Sequence, residues 1–407
     1  MAFDVRQLAD APNALAPFYS RFRVDERLLL TGHSHQAWPD RVREAQLEAF
    51  DDAAELVDKK WGRAFAKADA VKAGYARLMG DVDAGADAGT YTLADNTHSL
   101  LTRFLSALDL ATRPKLVTTD GEFHTIRRQL ARLEEAGLEI VRLSADAPDA
   151  LAEGLSNAVD DRTAAILVST VLFGTGRIVP GLDRVAEAAA RHGAELLIDT
   201  YHQLNAVPFD IHAAGLAGAF AVGGGYKYVQ AGEGNCFLRV PAGRDLRPVI
   251  TGWFAQFDAL SAPPGSSVGY GPGASAFGGA TYDPTSHYRA AAAFEFFNDL
   301  ELTPEFLRQV SLHQVERLSV AFDRLDADPS RIRRPDVAGD QLGGFLTLVS
   351  PEAGPLHDGL RERGVATDYR GSYLRFGPAP YLCDRQLDDA MGLLGEVLNE
   401  GGKAGDG

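Results

Sequence analysis

The chain has 407 residues, of which 45% are hydrophobic and 24% are charged, with a formal net charge of −16 and a pI near 5.1. The negative charge disfavours nucleic acid as a partner, because polyanions bind basic surfaces. Two cysteines are too few for a disulfide framework. The first eleven residues lack the basic and apolar regions of a secretory signal, and no apolar stretch is long enough to span a bilayer. We therefore expect a cytoplasmic protein.

Short apolar runs alternate with amphipathic helical patterns through the middle of the chain, which predicts βαβ units and a mainly parallel sheet covered on both faces. A loop rich in Gly, Pro and Ser follows at residues 261–280, and long helices and short strands come after it. We predict an α/β fold with a three-layer αβα large domain at 46–284 and a small α+β domain made of 1–45 and 285–407. The predicted strands of the large domain are 90–93, 115–118, 139–143, 164–169, 195–198, 219–222 and 235–240.

The first polar cluster, His33-Ser34-His35, follows the apolar residues 28–30. His-x-His beyond a first strand can bind zinc in barrel hydrolases. A zinc-dependent hydrolase would need further ligands at later strand ends, and further histidines do follow strands. That alternative gives no role to Lys227, a lysine between two tyrosines just beyond a later predicted strand. The chain also does not continue as the eight βα units of a barrel.

Asn96-Thr97 stands between the strand at 90–93 and the next helical pattern. These side chains can cap the helix, and the same donors at a positive helix N-terminus suit a phosphate group, so the two interpretations are compatible. Phe123 follows the strand at 115–118. It either packs in the core or covers the face of a flat cofactor ring.

The strongest functional signal pairs Asp199, at the end of the strand 195–198, with Tyr226-Lys227, just beyond the strand 219–222. The carboxyl ends of parallel strands lie on one edge of a sheet, where ligands bind. Pyridoxal phosphate (PLP) chemistry needs a lysine that holds the aldehyde as a Schiff base and a carboxylate that keeps the pyridine nitrogen protonated. His202, three residues after Asp199, is either structural or part of the same site.

Three later residues are candidates for binding. Arg375 lies in the alternating strand 373–376, where an inward guanidinium could clamp a substrate carboxylate. Trp253 and Thr281 flank the long loop, and from the sequence pattern alone each is structural. Neither cysteine lies beside an obvious base.

These motifs resemble, in order from about residue 28 to residue 398, those of the class V aminotransferase superfamily of fold-type I PLP enzymes, and most closely those of kynureninase. The best-matching stretch begins with Asp199-Thr-Tyr-His202 and continues to Tyr226-Lys227. The Asp and Tyr-Lys motifs are typical of the superfamily. Gly252-Trp253 and Arg375-Phe-Gly-Pro-Ala-Pro point more narrowly to kynureninase.

The resemblance implies a homodimer with shared active sites and PLP as the cofactor. Lys227, Asp199 and His202 would be catalytic, with Lys227 forming the Schiff base. Arg375, His33 and Ser34 would bind the substrate. The residues that would bind the cofactor are Asn96, Thr97, Phe123, Asp199, His202, Tyr226 and Lys227, together with Trp253 and Thr281 from the neighbouring subunit.

The implied reaction is hydrolytic Cβ–Cγ cleavage of a small α-amino acid through a quinonoid intermediate. A class V aminotransferase or a β-lyase acting on a different amino acid is the alternative. The chain departs from the kynureninase pattern in three segments, at residues 32–36, 124–126 and 254–256. The residues around the cofactor match the family better than those around the substrate, so the resemblance predicts the cofactor and leaves the amino acid open.

Overall fold

The structure is a computed structural model that describes residues 3–81, 90–260, 265 and 267–403. Within this part of the chain, no helix is both long and apolar enough to cross a membrane. The helices are α1 Val5–Ala9, α2 Asp40–Leu56, α3 Trp61–Leu78, α4 Thr97–Ser106, α5 His124–Glu135, α6 Pro148–Ala158, α7 Leu182–His192, α8 Thr285–Asp299, α9 Pro304–Asp323, α10 Ala353–Glu362 and α11 Asp384–Lys403. The strands are β1 Leu28–Leu29, β2 Tyr91–Ala94, β3 Lys115–Thr119, β4 Glu139–Leu143, β5 Thr163–Ser169, β6 Glu195–Asp199, β7 Phe220–Gly223, β8 Cys236–Arg239, β9 Leu346–Val349, β10 Val365–Ala366, β11 Asp368–Arg370 and β12 Tyr373–Phe376.

The seven strands predicted for the large domain form one sheet in the order β2-β8-β7-β6-β5-β3-β4. The pairs of β3 with β4 and β5, of β5 with β6, and of β6 with β7 are parallel, whereas β8 is antiparallel to both of its neighbours. The central strands β5, β6 and β7 are almost entirely buried, as expected for strands covered on both faces. In register, Ser169 at the end of β5 lies beside Asp199 at the end of β6.

Helices cover both faces of this sheet, because each has an apolar face that can be buried only against the strands. Leu151 of α6 and Val185 of α7 belong to the core on one face. Leu100 of α4 and Leu130 of α5 belong to the core on the other face. The large part of the molecule is therefore a three-layer αβα arrangement.

The C-terminal third builds a second core around the antiparallel sheet β11-β12-β9, packed with α9, α10 and α11. The N-terminal segment joins it, because β1 pairs in parallel with β10. Helix α8 spans both cores, with Ala290 in the first and Phe296 in the second. The domain limits at 46–284 and 285–407 remain a prediction.

Residues 261–264 and 266 of the long loop lie outside the described part of the chain. The later half of the loop is not wholly irregular, since Gly273–Phe277 forms a short 3-10 helix. Phe277 is buried beside β7, and this contact explains why a segment without helical or strand periodicity is ordered there.

Candidate active site

A cavity of about 240 Å³ opens at the carboxyl edge of the parallel strands. Lys227 and Asp199 both line it, so the structure brings the two together as predicted from their strand-end positions. Most of the other predicted cofactor-binding residues line the same cavity. They are Asn96, Thr97, Phe123, His202 and Tyr226.

Lys227 reaches the cavity through a glycine turn that follows β7. A Cβ atom on Gly224 would lie 2.1 Å from the Tyr201 hydroxyl, so this close approach of the backbone needs glycine. The lysine is only 5% exposed, and its Nζ lies 3.0 Å from His202 Nε2. Burial lowers the pKa of Lys227 to about 7, although the nearby Asp199 carboxylate favours the charged form. A large fraction of the amine is therefore neutral and nucleophilic near neutral pH.

Asp199 ends β6 with its carboxylate at the cavity wall. Its Oδ1 accepts a hydrogen bond from the backbone N–H of Tyr201 at 2.9 Å. Burial raises the pKa of Asp199, while the Tyr201 hydrogen bond and the charge of Lys227 act in the opposite direction. A cationic ring nitrogen placed beside this carboxylate would relieve the cost of burying it.

His202 contacts both the lysine and the N-terminal segment. Its Nε2 lies 3.0 Å from Lys227 Nζ and 3.1 Å from the backbone carbonyl oxygen of His33. Burial holds the pKa of His202 well below its usual range, so the imidazole is neutral. The His33 carbonyl can only accept a hydrogen bond, which favours the tautomer of His202 with the proton on Nε2. The neutral amine of Lys227 can accept a hydrogen bond from the same N–H group.

One end of the cavity has the donors of an anion site. Asn96 caps α4, since its Oδ1 accepts a hydrogen bond from Ser99 N at 2.9 Å. The buried Oγ1 of Thr97, in the first turn of α4, has no hydrogen-bond partner within the described structure. An unpaired buried hydroxyl at a helix N-terminus suits a phosphate oxygen. The donor set therefore fits a phosphate group, as predicted.

The walls of the cavity are aromatic. Lys227 Nζ lies 5.0 Å from the ring centroid of Tyr201, 5.5 Å from that of Phe123 and 5.7 Å from that of Tyr226. Phe123 precedes α5 and meets Phe173 edge to face at 5.4 Å. Aromatic rings around an amine and a carboxylate form a slot that fits a flat heteroaromatic ring.

The predicted substrate residues lie behind this cavity and are not part of its wall. Arg375 donates from Nε to Asp368 Oδ1 at 2.8 Å, from Nη2 to Asp368 Oδ2 at 2.6 Å, and from Nη1 to the Phe173 carbonyl. Three of the five guanidinium N–H groups are therefore in use, and two are left for a ligand. His33 is buried against Asp368, and Ser34 lies beside His35. The roles of these residues in substrate binding remain predictions.

Trp253 and Thr281 do not reach the cavity of their own chain. Thr281 lines a second cavity next to the first, and the two cavities share Asp95. Trp253 is 44% exposed and packs on Phe254 and Phe257. This placement leaves both side chains available to another subunit, so their role in cofactor binding stays a prediction.

Sequence reasoning missed several polar groups of this site. Ser169 lines the cavity at the end of β5, and its strand-end position was a signal that could have found it. Glu122, buried directly before Phe123, accepts hydrogen bonds from Ser169 and Thr119. Cys236 also lines the cavity, and its sulfur lies 3.0 Å from the Tyr201 hydroxyl.

The zinc alternative finds no site in the described residues. His33 contacts Asp368, whereas the exposed His35 stacks on Tyr226 and lies 3.5 Å from Glu233. Within the described ranges, no group of three or more His, Cys, Asp or Glu side chains could hold a metal ion.

No protein-family model matches the chain. Among curated proteins it is 28% identical to the kynureninase of Pseudomonas fluorescens over 414 residues, which cover 96% of this chain and 94% of the relative. It is also 28% identical to the kynureninase of Burkholderia pseudomallei strain 1106a over 417 residues, with the same coverage of both chains.

Two solved structures are similar to this chain in fold. A mutant of C-DES with glycine covalently linked to the PLP cofactor has a TM-score of 0.81 at 16% identity, covering 93% of this chain and 98% of the other. The apo cysteine desulfurase of Thermococcus onnurineus has a TM-score of 0.79 at 15% identity, covering 98% and 100%. These likenesses confirm the predicted α/β fold.

Proposed function

We propose that this chain, a PLP-dependent enzyme with the fold-type I architecture and similar to kynureninase, cleaves the Cβ–Cγ bond of an α-amino acid by hydrolysis. The observation that carries the proposal is the buried contact of Lys227 with His202, beside Asp199, in a cavity with a phosphate-type helix end. The similarity to kynureninases along almost the whole of both chains supports the choice of reaction.

The cavity residues divide into groups suited to the parts of the cofactor. Asn96 and Thr97 would hold the phosphate, together with Tyr226. Asp199 would hold the pyridine nitrogen, and Phe123 would cover the ring. The unpaired buried hydroxyl of Thr97 and the buried carboxylate of Asp199 each gain a partner in this arrangement.

PLP, when bound, supplies an electron sink for negative charge that develops on the carbon next to the amino group. Lys227 provides the neutral amine, because burial lowers its pKa to about 7. The amine would take the Cα proton and return one later. His202 orients the amine through Nε2, and Arg375 would bind the α-carboxylate through its two remaining N–H groups.

The proposed cleavage consumes one water molecule. The water oxygen adds to the carbonyl carbon at Cγ, the Cβ–Cγ bond breaks, and the acyl group leaves as a carboxylic acid. The bond electrons remain on Cβ, which takes up a proton, so the amino-acid product is alanine. Phe173, which lines the cavity edge to face with Phe123, favours an aromatic acyl group.

A spectral titration of the purified, cofactor-loaded protein with a panel of amino acids that includes kynurenine tests this proposal. We expect one amino acid with a carbonyl group at Cγ to change the visible spectrum and to yield equimolar alanine and a carboxylic acid. Production of the keto acid that keeps the full carbon skeleton of the amino acid would instead identify an aminotransferase. Release of the β-substituent with pyruvate and ammonia would identify a β-lyase.

We also propose that the enzyme is a homodimer whose two active sites are shared. Thr281 and Trp253 lie outside the cavity of their own chain, and a dimer would let them complete the site of the other subunit. Exposed apolar side chains near Trp253 support an interface on this face. They include Val249, Ile250, Phe257 and Leu260. Both cysteines are unpaired and buried, which is consistent with a cytoplasmic location.

A further inference from the structure

The N-terminal segment that carries His33 is fixed between the two cores. Gly32 N donates to the Gly377 carbonyl at 2.7 Å, and Gly377 N donates to the Leu30 carbonyl at 2.7 Å. Gly377 directly follows β12, the strand that carries Arg375. The backbone at residue 33 is therefore held against the strand that presents the predicted carboxylate clamp.

The His33 ring is 1% exposed and has close neighbours in Phe345 and Gly377. It stacks on Phe345 with a centroid distance of 4.6 Å. On its other side a Cβ atom on Gly377 would lie 2.2 Å from His33 Nδ1, so the absence of a side chain at 377 makes room for the ring. A ring confined on two sides keeps a fixed direction for its Nε2.

His33 Nε2 lies 2.8 Å from Asp368 Oδ1. Burial lowers the pKa of His33 to about 4, so the ring is neutral at physiological pH. Nε2 must then carry the proton, because a carboxylate only accepts, and the buried Nδ1 has no partner within the described structure. The imidazole donates to the carboxylate that also binds Arg375.

Asp368 has a competing partner on its outer side. Arg370 is exposed, and its Nη2 lies 3.7 Å from Asp368 Oδ2. The donor from His33 and the two donors from Arg375 hold the carboxylate on the inner side. Without the imidazole donor, Asp368 could turn toward Arg370 and release the guanidinium that it now orients.

The backbone of the same residue contacts the lysine side of the site. The His33 carbonyl oxygen lies 3.1 Å from His202 Nε2, and that nitrogen lies 3.0 Å from Lys227 Nζ. The side chain of His33 thus contacts Asp368, which binds Arg375. The carbonyl of His33 contacts His202, which binds Lys227.

We propose that His33 is a positioning residue, which orients Arg375 through Asp368 and aligns that clamp with the His202–Lys227 pair. The proposal rests on the proposed amino-acid chemistry in taking Arg375 as the carboxylate ligand. It replaces the prediction that His33 touches the substrate itself.

The test compares His33→Phe, which keeps the flat ring but has no donor, with His33→Gln, which keeps an N–H donor. His313→Phe is the matched control, because it removes a His–Asp hydrogen bond of 2.7 Å to Asp384 in the small domain. Each cofactor-loaded variant is titrated with the amino acid that binds the wild type. We expect His33→Phe to weaken amino-acid binding about tenfold, the loss of one charge-assisted hydrogen bond. Cofactor affinity should not change, and His33→Gln should restore much of the loss.

A crystal structure of cofactor-loaded His33→Phe gives a second measurement that does not depend on substrate. We expect Asp368 to turn toward Arg370 and Arg375 to lose its present position. An unchanged Arg375, or binding affected no more than in His313→Phe, would overturn the inference. If no amino acid perturbs the wild-type spectrum, the proposed function fails, and the position of Arg375 in the crystal still decides the role of His33.

Discussion

Replacing Glu122 by glutamine isolates the effect of a carboxyl group buried beneath the cavity. Its oxygens accept hydrogen bonds from Thr119 Oγ1 at 2.7 Å, Ser169 Oγ at 2.6 Å and Ser169 N at 3.2 Å. Burial raises the pKa of Glu122 to about 7; the Asp199 charge adds to this effect, and the hydrogen bonds oppose it. Glutamine has nearly the same shape but cannot ionise.

The magnitude follows from the difference in proton affinity between the two states. The pKa rises from 4.5 to about 7 on folding. At about 1.4 kcal/mol for each unit, the shift is worth about 3 kcal/mol of folding free energy. Because the folded state binds the proton more tightly, this contribution is fully present below pH 4.5 and is lost as the pH rises through about 7.

The assay is urea unfolding of the cofactor-loaded wild type and Glu122→Gln between about pH 4.5 and 8. As the pH rises, the difference in unfolding free energy should change by about 3 kcal/mol in favour of the glutamine variant. Glu153→Gln, at an exposed position of α6, controls for the loss of one negative charge. A difference that stays constant over this range would refute the reasoning, since Glu122 would then ionise alike in both states.

Three further predictions concern the roles proposed for single residues. Because burial lowers the pKa of Lys227 to about 7, PLP uptake by the cofactor-free protein should accelerate as the pH rises through about 7. Lys227→Ala should lack the visible cofactor band. A pH-independent rate of uptake, or a visible band in the variant, would contradict this role of Lys227. Arg375→Ala should weaken amino-acid binding by about 100-fold with cofactor affinity unchanged, as measured by spectral titration, and equal losses of both would remove the clamp role. Co-refolded mixtures of Lys227→Ala with Thr281→Ala should exceed the mean activity of the two pure variants, because a mixed dimer with shared sites retains one unaltered site; activity equal to that mean would argue against sharing.

The strands of the large sheet could be predicted from the sequence because each is indicated by a short apolar run of its own. All seven predicted strands of the large domain appear, and each observed strand starts and ends within two residues of its predicted limits. Asp199 and Lys227 could be placed on one edge because parallel strands align their carboxyl ends, and this holds whatever the side-chain packing.

The support behind the site could not be predicted in the same way. Asp368 lies 335 positions from His33 in the sequence, and no local pattern pairs them. Glu122 carries no signal in the sequence pattern, yet packing buries it against Ser169. Such contacts depend on how the two cores pack against each other. The hydrophobic periodicity of a single helix or strand carries no information about that packing.

The pairing of β1 with β10 also has a consequence for the order in which the chain can fold. During synthesis Leu28 and Leu29 leave the ribosome long before their partners, Val365 and Ala366, which follow the whole seven-stranded sheet in the sequence. The seven-stranded sheet, complete at Arg239, can assemble while Leu28 and Leu29 still await a neighbour. A nascent chain that already contains β7 and Lys227 therefore gains its His33–Asp368 contact only after Asp368 has been synthesised.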